Sequence, residues 1–170
     1  MPKYSREELL SAFENYNEAR LESQRTNDWN IWAGVFTEDA HYVEHAYGEF
    51  QGREAIAKWI CEVMSPFPEM TFPQDWVALD EDKGAIVFQC QNRLPHPTDP
   101  DGEPFSFPPW PRLVYAGGGL FCYSHDMLNM THIGQTMRDM GWKPAEKFNR
   151  PPRQPNRDVS LPPSWAHLLD

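Results

Sequence analysis

Residues 29–60, WNIWAGVFTEDAHYVEHAYGEFQGREAIAKWI, constrain the fold of this chain more than any other stretch. Trp29, Trp32, Val35 and Phe36 mark a short aromatic helix capped by Asn27–Asp28. Residues 40–46 then read as a strand. Successive strand side chains point to opposite faces, so Ala40, Tyr42 and Glu44 share one face and His41, Val43 and His45 the other. GEFQG reads as a turn. Ile56, Trp59, Ile60 and Val63 fall on one face of a helix over 52–64. Helix, strand, turn and helix in this order predict a cone-shaped α+β pocket domain, with its ionisable strand-end pair Glu44–His45 where chemistry could sit.

The flanks extend the pattern. Ser5 and Glu8 make a capping box, and Leu9, Phe13, Tyr16 and Arg20 fall at helical spacing. This predicts one long amphipathic helix over 5–26. Residues 70–80 and 84–94 read as a hairpin around Asp82–Lys83–Gly84, with Ile86, Phe88 and Cys90 on its dry face. Residues 95–111 hold seven of the seventeen prolines and read as a rigid loop, because proline fixes φ and removes a ladder donor. LVYAGGGLFCYSHDML gives two strands around a glycine turn, and residues 129–140 a short helix striped with Met130, Ile133, Met137 and Met140. That stripe reads as packing or a subunit contact. The expected organisation is one domain over 1–140 and an irregular, proline-rich tail over 141–170, pinned to the body or to a partner subunit by Trp142, Phe148 and Trp165.

A net charge of −10 argues against a nucleic-acid backbone or an anionic membrane surface as partner. No run reaches the ~18 apolar residues of a membrane span, and the start MPKYSREELL has no signal-peptide pattern. Cys61, Cys90 and Cys122 are an odd set without metal-ligand spacing. They read as buried free thiols in a reducing, cytoplasmic setting. No nucleotide, flavin or haem motif is visible, so no cofactor is expected.

The order of elements, carried by DWNIWAGVFTEDAHYVEHAYGEFQGREAIAKWI and by GGGLFCYSHDMLN, resembles the nuclear transport factor 2-like superfamily, and within it the SnoaL-like group of polyketide cyclases. The resemblance covers about residues 5–140. It implies a curved antiparallel sheet wrapped on N-terminal helices around one deep apolar pocket, and a homodimer. It also implies a role drawn from a range that includes isomerases, dehydratases, cyclases and non-catalytic binders. Ketosteroid isomerases of the superfamily can be laid on Asp28–Glu44 without a gap. That match places their catalytic carboxylate at Glu44 and their helix-one tyrosine at Arg20. Their second acidic donor falls near Trp110–Pro111, where this chain has no Asp, so the usual oxyanion donors are not kept.

The candidate catalytic residues are Glu44, Asp126 and His45. Glu44, facing inward beside Tyr42, would be a carboxylate whose pKa burial raises toward neutrality; otherwise it is a strand-end charge in solvent. Of His125 and Asp126 only one can face the pocket, and Asp126 is favoured; its alternative is a cap for the 129–140 helix. A hydrogen bond from Asp126 to His45 or Arg20 would make a site of them. Arg20 breaks an apolar stripe and would clamp a carbonyl or carboxylate, or else snorkel to the surface. Tyr16, Tyr42, Trp59 and Tyr115 join Arg20 as candidate ligand contacts. His41 and His45 lie ~13 Å apart on a strand and cannot share one metal ion, so no metal is expected. These residues fit an acid–base enzyme (isomerase, dehydratase or cyclase) acting on a hydrophobic small molecule, or a non-catalytic binding or dimerisation module with the same pocket.

Overall fold

The computed structural model of the chain describes residues 3–144, 146 and 148–156. Helix α1, Arg6–Thr26, begins where the Ser5 hydroxyl accepts the Glu8 N–H and ends at Asn27 in the left-handed region, φ 56°. The short α2, Asn30–Ala33, follows an Asp28 side chain that accepts the Asn30 N–H. Strand β1, Phe36–Glu44, starts earlier than the alternation suggested.

GEFQ is a strand, not a turn: β2, Gly48–Gln51, pairs antiparallel with β1. The reversal occurs one step sooner, because the Glu44 carboxylate accepts the N–H groups of both Ala46 and Tyr47 and so closes the bend itself. Phe50 then stacks on Trp59 of α3, Arg53–Met64, with ring centroids 4.6 Å apart.

Strands β3, Gln74–Asp80, and β4, Ala85–Cys90, form the expected hairpin, and β5 is Asn92–Leu94. The proline-rich stretch is not wholly irregular. Phe105 and Phe107 turn inward around Ser106 as β6, Phe105–Phe107, which pairs with β5. Strands β7, Trp110–Gly117, and β8, Leu120–Met127, meet at the triple-glycine turn, and α4 runs Met130–Asp139.

The main sheet has six strands in the order β2-β1-β8-β7-β4-β3. It is mixed rather than all antiparallel, because β1 and β8 run parallel, with Glu44 beside Asp126. Alternation sets which face a residue takes but not the direction of its partner strand. The concave face closes on α1, α2 and α3 over an aromatic core in which Phe36, Tyr42, Phe88 and Phe121 are fully buried. Each such ring is worth roughly 2–3 kcal/mol of burial. A smaller cluster of Val43, Val114, Cys122 and Tyr123 lies apart from that core. The three cysteines are free thiols, Cys90 and Cys122 buried and Cys61 half-buried. Among the described residues no helix is long and apolar enough to cross a membrane.

After α4 the chain lies back along the body. Trp142 stacks on Phe67 and Phe148 meets both rings edge-on. The Tyr47 hydroxyl donates to the Asn149 carbonyl at 2.7 Å. Gly48, at φ +104°, is required here, since a Cβ would stand 2.8 Å from the Asn156 carbonyl oxygen. Trp165 lies outside the described residues.

Candidate functional site

Two cavities share a wall at the open end of the cone. The inner one, about 120 Å³, is walled by α1, α3 and the inward faces of β1 and β8, and carries Tyr16, Arg20, Tyr42, Trp59 and Asp126. The outer one, about 380 Å³, is largely apolar, with Met64, Phe67, Met137, Trp142 and Phe148 in its wall, and it also carries Asn92 and Arg150. Glu44, Tyr47, Val63, Met64, Asn92 and Leu128 line both, so the two chambers adjoin, with Glu44 in the wall they share.

Asp126 lies in the wall of the inner chamber. The Tyr42 hydroxyl donates to its Oδ2 at 2.5 Å, and the Ser124 hydroxyl to Oδ1 at 3.3 Å. Burial pushes the Asp126 carboxyl up from 3.8 to about 6, against the lowering pull of those two donors and of the Arg20 charge. Burial likewise holds the Tyr16 and Tyr42 phenols well above their usual range, so both are neutral donors.

Arg20 enters the core instead of snorkelling out. Its guanidinium carbon lies 4.9 Å from the Phe72 ring centroid, and it donates to Asn17 Oδ1 at 2.8 Å and to Cys90 Sγ at 3.2 Å. Arg20 Nε and Trp59 Nε1 are buried and meet no acceptor among the described residues. Buried donors are seldom left unpaired, and both residues wall the same chamber.

The other candidates divide. Glu44 is buried and lines both cavities, but its Oε2 holds the N–H groups of Ala46 and Tyr47 at 2.6 Å each. It thereby closes the β1–β2 bend. Asp126 pairs with Tyr42, not with His45. On the opposite face of the sheet, His45 Nε2 and His125 Nε2 share a 2.9 Å hydrogen bond and the Leu128 N–H donates to His45 Nδ1. His45 lines neither cavity, as strand alternation requires once Glu44 faces inward. Desolvation, His45 and Arg112 all push the His125 pKa down.

Tyr115 is also outside both cavities. Its ring packs on Tyr4 and Phe121, its hydroxyl donates to Glu8 Oε1, and it accepts the Gly119 N–H. His41 binds Glu49 on β2 at 2.9 Å. Among the described residues no three His, Cys, Asp or Glu side chains cluster as a metal site would need.

Two features were missed in the sequence. Ser124 stands two residues before Asp126, so alternation already placed its hydroxyl on the same face. The α4 stripe is not merely packing, because Met130, Ile133 and Met137 wall the outer cavity; no local pattern separates a cavity wall from a core contact.

The family of SnoaL-like domains matches residues 13–118 of the chain. A protein with a ketosteroid isomerase-like fold from Catenulispora acidiphila DSM 44928, solved with trimethylamine, is similar in structure at 18% identity and TM-score 0.59, over 76% of this chain and 97% of that one. An NTF2-like protein from Anabaena variabilis ATCC 29413 is similar at 16% identity and TM-score 0.59, over 76% and 95%. TerC, co-crystallised with polyporic acid, is similar at 11% identity and TM-score 0.57, over 75% and 98%. No curated protein matches the sequence.

Proposed function

The chain belongs to the SnoaL-like domain family, and from that membership and the cavity chemistry we propose that it is an acid–base enzyme. It moves a proton within a hydrophobic small molecule, in an isomerisation, dehydration or cyclisation. The observation that carries this is the Tyr42–Asp126 hydrogen bond inside an aromatic chamber. With a pKa of about 6, Asp126 is mostly ionised at neutral pH yet close enough to neutrality to take a proton and return it. Tyr42 holds the carboxylate in place. Arg20 Nε and Trp59 Nε1 offer donors to a substrate carbonyl oxygen as negative charge develops on it.

Proton abstraction can be tested before the natural substrate is known. Small ketones are incubated with the protein in D2O and deuterium uptake next to the carbonyl is followed by NMR. The wild-type protein exchanges that position and Asp126→Asn does so ~10²-fold more slowly. Equal rates for the two proteins would remove the reading. Native mass spectrometry of the purified protein identifies any molecule carried in the site.

One observation favours a second reading, a binding module without turnover: Glu44 is engaged in holding its own bend. A ligand that binds tightly, with no exchange in either protein, supports that alternative. A homodimer in a reducing, cytoplasmic setting completes the proposal, and sedimentation at varied concentration reads its assembly state.

A further inference from the structure

We infer that Trp142, Pro144, Phe148 and Pro151 form the substrate-selecting wall of the site, and that they select molecules with a long, flexible apolar body beyond the reacting end. The inference rests on the acid–base reading for the location of that end, at Asp126. The inner chamber, about 120 Å³, holds little more than a polar head and the carbons next to it. On this reading the remainder of a larger molecule extends into the adjoining outer chamber, about 380 Å³ and within the size range of small-molecule sites.

That outer chamber is assembled from two sources. One side is the shared domain, through Met64, Phe67 and Met70. The other is α4 and the segment after it, through Met137, Trp142 and Phe148. The second side lies beyond residue 118, where the family match ends.

The segment is built in place. Phe67, Trp142 and Phe148 form one aromatic cluster, with centroids 5.5–6.0 Å apart. Asn149 is held on both sides, its carbonyl by the Tyr47 hydroxyl and its side chain donating to Glu62 Oε2 at 3.0 Å. Tyr47 also lines both chambers, so the anchor of the segment is itself part of the wall they share. The lining is rich in methionine, whose unbranched thioether adapts to changing shapes. Such a wall suits a flexible hydrocarbon body better than one rigid ring system.

The test is a calorimetric titration of the full chain with straight-chain 2-alkanones from five to eleven carbons. In the wild-type protein Kd falls about fourfold per added methylene, the gain expected for burying one CH2 group. In Phe148→Ala and Trp142→Ala the gain per methylene drops below about twofold for the longer members. Phe148→Trp, which fills the chamber and keeps the aromatic cluster, rejects the eleven-carbon ketone by at least tenfold relative to the five-carbon one. Flat affinities in the wild-type protein, no binding of its longest member, or the same chain-length dependence in the Phe148 and Trp142 variants as in wild type overturns the inference. Deuterium exchange in Asp126→Asn reads the acid–base function separately. A normal chain-length effect with no role for Asp126 sinks that function alone, and the converse sinks the selecting wall alone.

Discussion

Tyr42 and Asp126, 84 residues apart in the chain, are joined by a 2.5 Å hydrogen bond from phenol to carboxylate at the floor of the inner cavity. The bond exists because β1 and β8 run parallel with Glu44 beside Asp126, which sets Tyr42 diagonally across from the acid on the same face.

The first prediction concerns rate against pH. Asp126 acts as a base only when ionised, so kcat/KM rises with pH through about 6 and then levels. Tyr42→Phe removes a donor that lowers the Asp126 pKa. Its pH midpoint moves upward and its plateau falls roughly tenfold, as read from deuterium exchange rates across pH 4–9. A midpoint moving downward contradicts the assignment.

Stability should show the same group from the other side. Asp126 titrates near 3.8 when unfolded and at about 6 when folded, so the native state binds more protons between those values. Stability from this residue therefore falls as pH rises from about 4 to 6 and stays reduced above it, by on the order of 2–3 kcal/mol. Asp126→Asn keeps an acceptor for Tyr42 without the charge. It should be more stable than wild type above pH 6 and lose the advantage near pH 4, measured by urea unfolding at both pH values.

For Glu44 the expected loss is of stability. Glu44→Gln weakens two charge-assisted bonds to the Ala46 and Tyr47 N–H groups. It should cost about 1–2 kcal/mol while retaining a larger share of exchange activity than Asp126→Asn. A Glu44→Gln protein of unchanged stability and abolished exchange would return the catalytic role to Glu44.

Two aromatic substitutions separate cavity from scaffold. Tyr115→Phe loses the bond to Glu8, about 1 kcal/mol, and leaves ligand affinity as it was, because Tyr115 lines neither cavity. Trp59→Phe removes an unpartnered buried donor from the inner wall. It should weaken ketone binding several-fold more than it weakens a hydrocarbon of equal size, compared by titration.

Local periodicity made much of this legible. The Leu9–Arg20 stripe, the Ser5 cap and the alternation of Ala40, Tyr42 and Glu44 placed the helices and turned the right face of β1 inward. The same rule allowed only one of His125 and Asp126 to face inward, and the family resemblance, not the alternation, favoured Asp126. What escaped was non-local. No pattern within residues 36–44 announces a parallel partner at 120–127, and nothing near Glu44 in the sequence reveals that its carboxylate folds back onto the next two N–H groups. Phe105 and Phe107 were hidden by the prolines around them, since proline density says where ladders are interrupted and not where a two-residue alternation survives. Tyr115, a candidate ligand contact from its strand, packs on Tyr4 and Phe121 and lines neither cavity.

The parallel pairing of β1 with β8 also sets when a site can exist at all. A contact this distant in sequence closes only after the chain between has been gathered, which is the slow, entropically costly kind of event in folding. A nascent chain carrying Tyr42 but not yet Asp126 has no reactive centre, and neither has a partly melted one that has let go of its last strand. On the proposed function, proton-exchange activity would report the completed topology, since it needs both Tyr42 of the first strand and Asp126 of the last.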